Sequence, residues 1–134
     1  MAARSKARKR ALDLIYASEM RNRSTDDALA ELNDAGPVNA YTVRLVEGVT
    51  ANRARLDEVI STYAQGWTLD RMPAVDRNVL RMATFEVLFV DEVPFAVSVS
   101  EALHLVGDLS TDESPAFVNG VLGNIVRDRE LLVG

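Results

Sequence analysis

The chain has 134 residues, of which 15 are basic and 20 acidic, and 48% are hydrophobic. This length and composition are typical of a folded protein and exclude a disordered chain, so we expect a single domain over residues 1–134. Because cysteine is absent, disulfides, thiolate metal sites and cysteine nucleophiles are excluded. No apolar run approaches the roughly 20 residues that cross a bilayer, so we expect no membrane contact.

The first ten residues concentrate positive charge. They hold five of the fifteen cations and no acidic residue. The five cations are Arg4, Lys6, Arg8, Lys9 and Arg10. An acidic chain with its cations gathered at one end is typical of proteins that bind nucleic acid or another acidic surface.

A first helix is predicted over residues 4–22. Ala7, Ala11, Leu14 and Ile15 recur at spacings of three and four, which makes one apolar face and leaves the cations to project to solvent. Cations in the first turn oppose the helix dipole at roughly 0.3–1 kcal/mol each, which points to a function. Tyr16 on the flank could stack on an unpaired base, or simply pack. Taken singly, the basic cluster could equally be a solvated helix start.

The middle of the chain is also helical by pattern. Ser24 or Thr25 caps a second helix to about residue 32, and a third helical region begins near Asn39, with a kink or restart around residues 48–52. Pro73 suits the first turn of a helix that continues to about residue 90. Because this helix is apolar nearly all round, we expect it to be the central one.

The last third predicts two more helices. Serine and glutamate at the right spacing predict two capping boxes, Ser98 with Glu101 and Ser110 with Glu113. Gly120 and Gly123 each cost roughly 1 kcal/mol relative to Ala inside a helix, so they predict close approach of a neighbouring helix or a ligand. The whole chain therefore predicts an all-α fold of six or seven helices.

The sequence carries no catalytic or metal-binding pattern. His104 is the only histidine, and its apolar neighbours favour a hydrogen-bonded structural role. A P-loop, a dinucleotide-binding glycine pattern and a nucleophile elbow are all absent. We predict a binding protein that is not an enzyme and needs no cofactor or metal.

Four segments of the chain match one known pattern of residues. These are the Arg-rich first helix with Leu14-Ile15-Tyr16, residues 75–86, Val93-Pro94 with residues 98–102, and the run Phe117-Val118-Asn119-Gly120-Val121-Leu122 after Asp112-Glu113-Ser114. Together they resemble the NusB family of transcription antitermination factors over roughly residues 4–126. The Phe117–Leu122 run in its acidic context is the most specific of the four.

The resemblance implies a NusB-like fold of two small packed helical bundles, in a bacterial cytoplasmic protein. It implies binding of the single-stranded boxA element of ribosomal RNA leader transcripts. The family binds this RNA together with NusE, a small-subunit ribosomal protein, and the complex joins the elongating RNA polymerase and suppresses termination. Self-association as a homodimer is a further state that the family allows.

The resemblance also assigns roles to residues. The RNA-binding set it implies is Arg4, Lys6, Arg8, Lys9, Arg10 and Tyr16 in the first helix, and Glu113, Phe117 and Asn119 near the last. Asp76, Phe85 and Glu86 fall on the helix associated with the partner surface. Ser5 and Phe85 stand where many members have Arg and Tyr.

Two other functions stay open at this point. The first is a protein-only helical interaction module, in which the cations dock on an acidic protein surface. The second is the RNA-binding domain of an RNA methyltransferase, because NusB-like domains occur fused to such enzymes. Binding of RNA with and without a basic ribosomal partner distinguishes the first alternative from an RNA-binding factor.

Overall fold

The computed structural model describes residues 2–133 and is all-helical over that range, as predicted. The helices are α1 (Ala2–Met20), α2 (Thr25–Ala35), α3 (Ala40–Ala51), α4 (Arg53–Tyr63), α5 (Ala74–Phe89), α6 (Phe95–Leu109), α7 (Ser114–Arg127) and α8 (Arg129–Val133), with a 3₁₀-helix at Leu69–Arg71. The sequence did not predict the five-residue α8. None of these helices combines the length and the apolar character needed to span a membrane.

The chain folds as two compact units that meet in sequence between Ala51 and Asn52. Unit 1 contains α1 to α3, and unit 2 contains α4 to α8. The restart predicted around residues 48–52 is therefore a real helix boundary. Asn52 breaks the helix there, with its φ of −111° and ψ of 14° outside the helical range.

In unit 1, α1 packs against both α2 and α3. Its buried side carries Ala7, Ala11, Leu12 and Ile15, so Leu12 takes the place predicted for Leu14, which is only half-buried. The hydroxyl of Thr42 on α3 donates to the carbonyl oxygen of Ala7 at 3.0 Å. This bond fixes the first turns of α1 on α3.

The end of α1 and the start of α2 follow local rules. Asn22 adopts a left-handed conformation with φ of 52°, which ends α1 before the turn. Ser24 is then the N-cap of α2, because its hydroxyl accepts the backbone N–H of Asp27 at 3.0 Å. The cap predicted at Ser24 or Thr25 is therefore at Ser24.

In unit 2, α5 is the central helix, as predicted. It packs against α4, α6, α7 and α8, and 12 of its 16 residues are buried. The buried Arg81 pairs with Asp57 of α4 through Nε and Oδ1 at 2.7 Å, and donates to Asn78 Oδ1 at 2.9 Å. Arg81 and Asn78 on this apolar helix are thus paired inside the unit, whereas the buried hydroxyl of Thr84 has no hydrogen-bond partner among residues 2–133.

A second polar contact ties α4 to the end of α7. The Tyr63 hydroxyl donates to Asp128 Oδ2 at 2.7 Å, and the Arg127 guanidinium donates to the same carboxylate. Hydrogen bonds from Arg127 first and Tyr63 second lower the pKa of Asp128 to about 2. The same contact raises the pKa of Tyr63 above its usual value.

Both predicted capping boxes are wrong. Helix α6 begins at Phe95 after the N-cap Pro94, so Ser98 lies one turn inside the helix, and its buried hydroxyl has no hydrogen-bond partner among residues 2–133. Helix α7 begins at Ser114, and the Ser110 hydroxyl donates to Asp76 instead of capping. In the first case the fixed φ of Pro94 sets the helix start; in the second a buried carboxylate competes for the serine.

The histidine prediction is also wrong, because His104 is exposed on α6. The apolar neighbours Leu105 and Val106 turn inward, while residue 104 lies on the solvent side of the helix. Within residues 2–133, no group of three or more potential metal-ligating side chains of His, Cys, Asp or Glu comes together.

The two glycines of α7 do not mark a close approach. Gly120 and Gly123 are exposed, and a Cβ built on either would meet no other atom within 4 Å. The prediction of a helix or ligand pressed against them is therefore wrong for the chain as it stands alone. Glycine therefore destabilises α7 at both positions, and no neighbouring atom of the described chain requires it there.

We expect Gly120→Ala to raise the free energy of unfolding by about 1 kcal/mol, because alanine removes the entropic cost and meets open space. Gly66→Ala is the matched control. Alanine is strained at the φ of +81° that Gly66 adopts, so the free energy of unfolding of this variant should fall by about 1 kcal/mol. Urea denaturation measures both, and a destabilised Gly120→Ala protein would contradict the open site.

Candidate nucleic-acid interface

The five clustered cations of α1 have different environments. Arg4, Lys6, Lys9 and Arg10 are exposed, as predicted, but Arg8 is only 3% exposed. Arg8 shares its side of the helix with the buried Leu12 and Ile15, which follow it by four and seven residues. The expectation that Arg8 projects to solvent is therefore wrong, because it lies on the packed side of α1.

Two of the cations are held by an aromatic ring of α3. The guanidinium carbon of Arg4 lies 4.5 Å from the centroid of the Tyr41 ring, and that of Arg8 lies 5.7 Å from it. Such contacts are worth about 0.5–2 kcal/mol each, more when desolvated. Arg8 therefore stabilises the packing of α1 on α3, while Arg4 does so at the exposed edge.

Three of the cations line a cleft of about 600 Å³ between α1 and the segment 35–39, which we call the basic cleft. Lys9 donates to both carboxylate oxygens of Asp13, at 2.7 and 2.9 Å. Lys6 and Arg10 make no side-chain hydrogen bond or ion pair with any residue in the range 2–133. Lys6 and Arg10 are thus the cations of this cleft that are available to an incoming anion.

Tyr16 lies farther along the same helix. It is 38% exposed and comes seven residues after Lys9, which places it on the same face about 10 Å away. The exposed ring can therefore stack on an unpaired base while the cations hold phosphates.

The remaining residues of the predicted RNA-binding set lie in unit 2. Glu113 and Asn119 are exposed, and Phe117 is half-buried. Glu113 comes just before α7, and Phe117 and Asn119 lie in its first turns. The predicted set therefore forms two groups, one on each unit.

Phe117 belongs to a second cleft that sequence reasoning did not identify. We call it the aromatic cleft: a space of about 440 Å³ lined by Trp67, Arg71, Pro73, Glu113 and Phe117 among others. The Trp67 and Phe117 rings meet edge to face, with centroids 6.2 Å apart and planes at 63°. The one sequence feature that could have indicated this cleft is an aromatic residue followed four residues later by Arg. Both lie in a short connection between helices, where the sequence predicts only a loop.

The residues expected on the partner surface are all buried. Asp76, Phe85 and Glu86 are 2%, 6% and 2% exposed, so their side chains do not form an accessible surface. The cause is the position of α5 at the centre of unit 2, with neighbours on several sides. The expectation that these three side chains present themselves to a partner is therefore wrong.

Asp76 instead holds the turn that leads into α7. Its two carboxylate oxygens accept the hydroxyls of Ser110 at 2.6 Å and Ser114 at 2.9 Å. The Ser114 oxygen also accepts the backbone N–H of Thr111 at 3.2 Å. This network fixes residues 110–114, and so it positions the adjacent Glu113.

Known proteins of one family match this chain over nearly its full length. The model of the NusB family matches residues 5–127. The transcription antitermination protein NusB of a Nocardioides species is 59% identical over 137 residues, covering 98% of this chain and 99% of the relative. The protein of the same name from Saccharopolyspora erythraea is 56% identical over 132 residues, covering 93% and 87% of the two chains.

Solved structures give the same result for the fold. NusB of T. maritima is 32% identical, with a TM-score of 0.85, and the match covers 93% of this chain and 91% of that one. A chain from a crystal structure of antitermination factors NusB and NusE in complex with dsRNA is 24% identical, with a TM-score of 0.80. That match covers 95% of this chain and 98% of the other.

Arg8→Ala should lower the free energy of unfolding by more than about 1 kcal/mol, because it removes a buried side chain and a contact with Tyr41. Arg10→Ala on the exposed side should change it by less than about 0.5 kcal/mol. Chemical denaturation of the two variants provides the comparison. Equal stabilities would mean that Arg8 is not part of the packing.

Asp76→Ala should lower the free energy of unfolding by about 1–3 kcal/mol, because it leaves the hydroxyls of Ser110 and Ser114 without their acceptor. Asp70→Ala removes an exposed carboxylate next to α5 and serves as the control, with a change within about 0.5 kcal/mol. Amide hydrogen exchange at Thr111 should also accelerate in the Asp76 variant alone. Unchanged exchange would show that the carboxylate does not fix the turn.

Proposed function

Since this chain belongs to the NusB family, we propose that it is an RNA-binding factor of transcription antitermination and not an enzyme. Its ligand is single-stranded boxA-type RNA of ribosomal RNA leader transcripts. It binds this RNA together with NusE, and the complex acts on the elongating RNA polymerase to suppress termination. The relatives with more than half of their residues identical carry the name of a transcription antitermination protein, which supports this assignment.

The observation that carries the proposal is the basic cleft. Lys6 and Arg10 are exposed, have no acidic partner among the described residues, and project from a helix whose other side is packed. In a chain of net charge −5, such a face concentrates the attraction for a polyanion at one place. Because α1 is fixed on α3, the cations need little ordering when they bind phosphates.

Unit 2 offers groups that suit unpaired bases. Phe117 can stack on a base, and the exposed Glu113 and Asn119 can bond to base edges, which a single strand leaves accessible. In duplex RNA the Watson–Crick edges are occupied by base pairing, and the deep, narrow major groove admits no side chain. These groups therefore favour a single-stranded ligand.

The charge distribution also favours a basic protein partner. All twenty acidic residues lie after the tenth position, against ten of the fifteen cations. An acidic surface accelerates association with a basic protein such as a ribosomal protein and repels RNA from the rest of the chain. The contact with NusE must use exposed groups, and so excludes the side chains of Asp76, Phe85 and Glu86.

The proposal predicts that Lys6→Ala with Arg10→Ala weakens binding of a short single-stranded RNA. When Lys6 and Arg10 each neutralise a phosphate of a single strand, each adds about −0.7 to the log–log salt slope. Removal of both should make the slope shallower by about 1.4. Fluorescence anisotropy over a series of salt concentrations, with and without NusE, measures both quantities.

A charge-matched variant provides the control for this experiment. Arg55→Ala with Arg127→Ala removes two positive charges that are already paired, with Glu58 and Asp128 respectively. It should leave the affinity for RNA and the salt slope nearly unchanged. If both double variants lose affinity equally, net charge and not the basic cleft determines binding. If the wild-type chain binds NusE but no RNA under any condition, it is a protein-only interaction module.

A further inference from the structure

The aromatic cleft of unit 2 combines three chemical features, of which the proposed function uses only the carboxylate. It has an exposed aromatic surface, an unpaired cation and an unpaired carboxylate, supplied by Trp67, Arg71 and Glu113. Its volume of about 440 Å³ lies within the range of small-molecule sites, roughly 300–1,000 Å³. A ligand that uses all three features combines a planar ring, an anionic group and a hydrogen-bond donor.

Trp67 is the main surface of the cleft. Its side chain is 50% exposed, although tryptophan is on average well buried in folded proteins. The indole is nevertheless held in place, since it meets the ring of Phe117 at 63° and its backbone N–H donates to the Ala64 carbonyl at 3.0 Å. The left-handed Gly66, with φ of +81°, makes the turn that brings Trp67 there.

The two rings form a corner and not a slot. Centroids 6.2 Å apart and an angle of 63° leave no room for a planar ligand between the rings. A planar ligand can instead lie flat on the exposed indole with its edge toward Phe117. Stacking of this kind on an aromatic side chain is how proteins hold unpaired bases.

The charged groups suit the other parts of a nucleotide. The guanidinium of Arg71 is exposed and makes no hydrogen bond or ion pair within residues 2–133, so it can bind a phosphate with two parallel bonds. The carboxylate of Glu113 likewise has no partner in that range and can accept an N–H of a base edge. The buried carboxylate of Asp76 is occupied by Ser110 and Ser114 and leaves the recognition to Glu113.

We propose that the aromatic cleft binds one unpaired nucleotide of an RNA strand, with the base stacked on Trp67, the phosphate on Arg71 and the base edge on Glu113. This assignment rests on the proposed function, and it adds Trp67 and Arg71 to the residues that contact RNA. An apolar peptide side chain would use the rings but would leave both charged groups of the cleft unpaired. A nucleotide uses all three.

The chain provides its own reporter for this site, because Trp67 is its only tryptophan. Titration of the full chain with short single-stranded RNA of mixed sequence should change the emission of Trp67. The change should saturate at the same RNA concentration as the anisotropy of labelled RNA. Bound RNA should also protect the indole from quenching by acrylamide, since a stacked base covers the ring.

Substitutions of Trp67 and Arg71 test how much each side chain contributes to the affinity for RNA. Trp67→Ala should weaken RNA binding between about 5-fold and 150-fold, the range that corresponds to one stacked base, and Trp67→Phe should restore most of it. Arg71→Ala should weaken binding and make the salt slope shallower by about 0.7. Phe89→Ala, an exposed aromatic on α5 outside the cleft, and Arg127→Ala are the matched controls and should bind RNA as the wild type does.

The outcomes separate this inference from the proposed function. If RNA binds by anisotropy while Trp67 emission, acrylamide quenching and the affinities of Trp67→Ala and Arg71→Ala are unchanged, the cleft does not hold a nucleotide and the wider proposal stands. If the wild-type chain does not bind RNA at all, both are overturned. The emission measurement uses the wild-type protein, so it decides the question even if Trp67→Ala fails to fold.

Discussion

The packing of α1 against α3 holds the exposed cations of the first helix in fixed positions. A helix with several cations in its first turns works against its own dipole, and in isolation it would fray. Burial of Ala11, Leu12 and Ile15, the stacking of Arg8 on Tyr41 and the Thr42–Ala7 bond hold it in place. Arg8, the buried cation of the cluster, therefore helps to fix the helix that presents the exposed ones.

Unit 2 solves a related problem with a buried carboxylate. Residues 110–114 connect two helices and would be mobile if their polar groups faced only water. Asp76 on the central helix accepts two serine hydroxyls from this connection, and so the start of α7 is fixed. The exposed Glu113 and the ring of Phe117 then have defined positions, which recognition of a flexible strand requires.

Much of the fold could be predicted from the sequence. Apolar spacing identified the helices, and Ser24 and Pro73 marked two of the starts, because these signals are local. The start of α6 at Phe95 was missed because the pattern Ser98-x-x-Glu101 meets the rule for a cap, whereas Pro94 begins the helix earlier through its fixed φ and without a side-chain cap. Gly120 and Gly123 were misinterpreted because a costly residue suggests a steric reason, and none exists in the described chain.

The candidate site was predictable only in part. The exposed cations followed from composition, but the burial of Arg8 depends on which side of α1 meets Tyr41, a contact between residues far apart in sequence. Asp76, Phe85 and Glu86 are buried because α5 lies at the centre of unit 2. The residue pattern over 75–86 does not show which of its side chains face outward. Trp67 and Arg71 were missed because a connection gives no periodic signal and only folding brings them to Phe117.

A map of backbone amide chemical shifts of the isotope-labelled chain, recorded as single-stranded RNA is added, tests most directly whether α1 presents its cations to RNA. The largest changes should occur at the exposed side of α1, around Lys6, Arg10 and Tyr16, with a second group around Glu113 and Phe117. Changes confined to other surfaces, such as the exposed side of α6, with α1 unaffected, would show that α1 does not bind RNA.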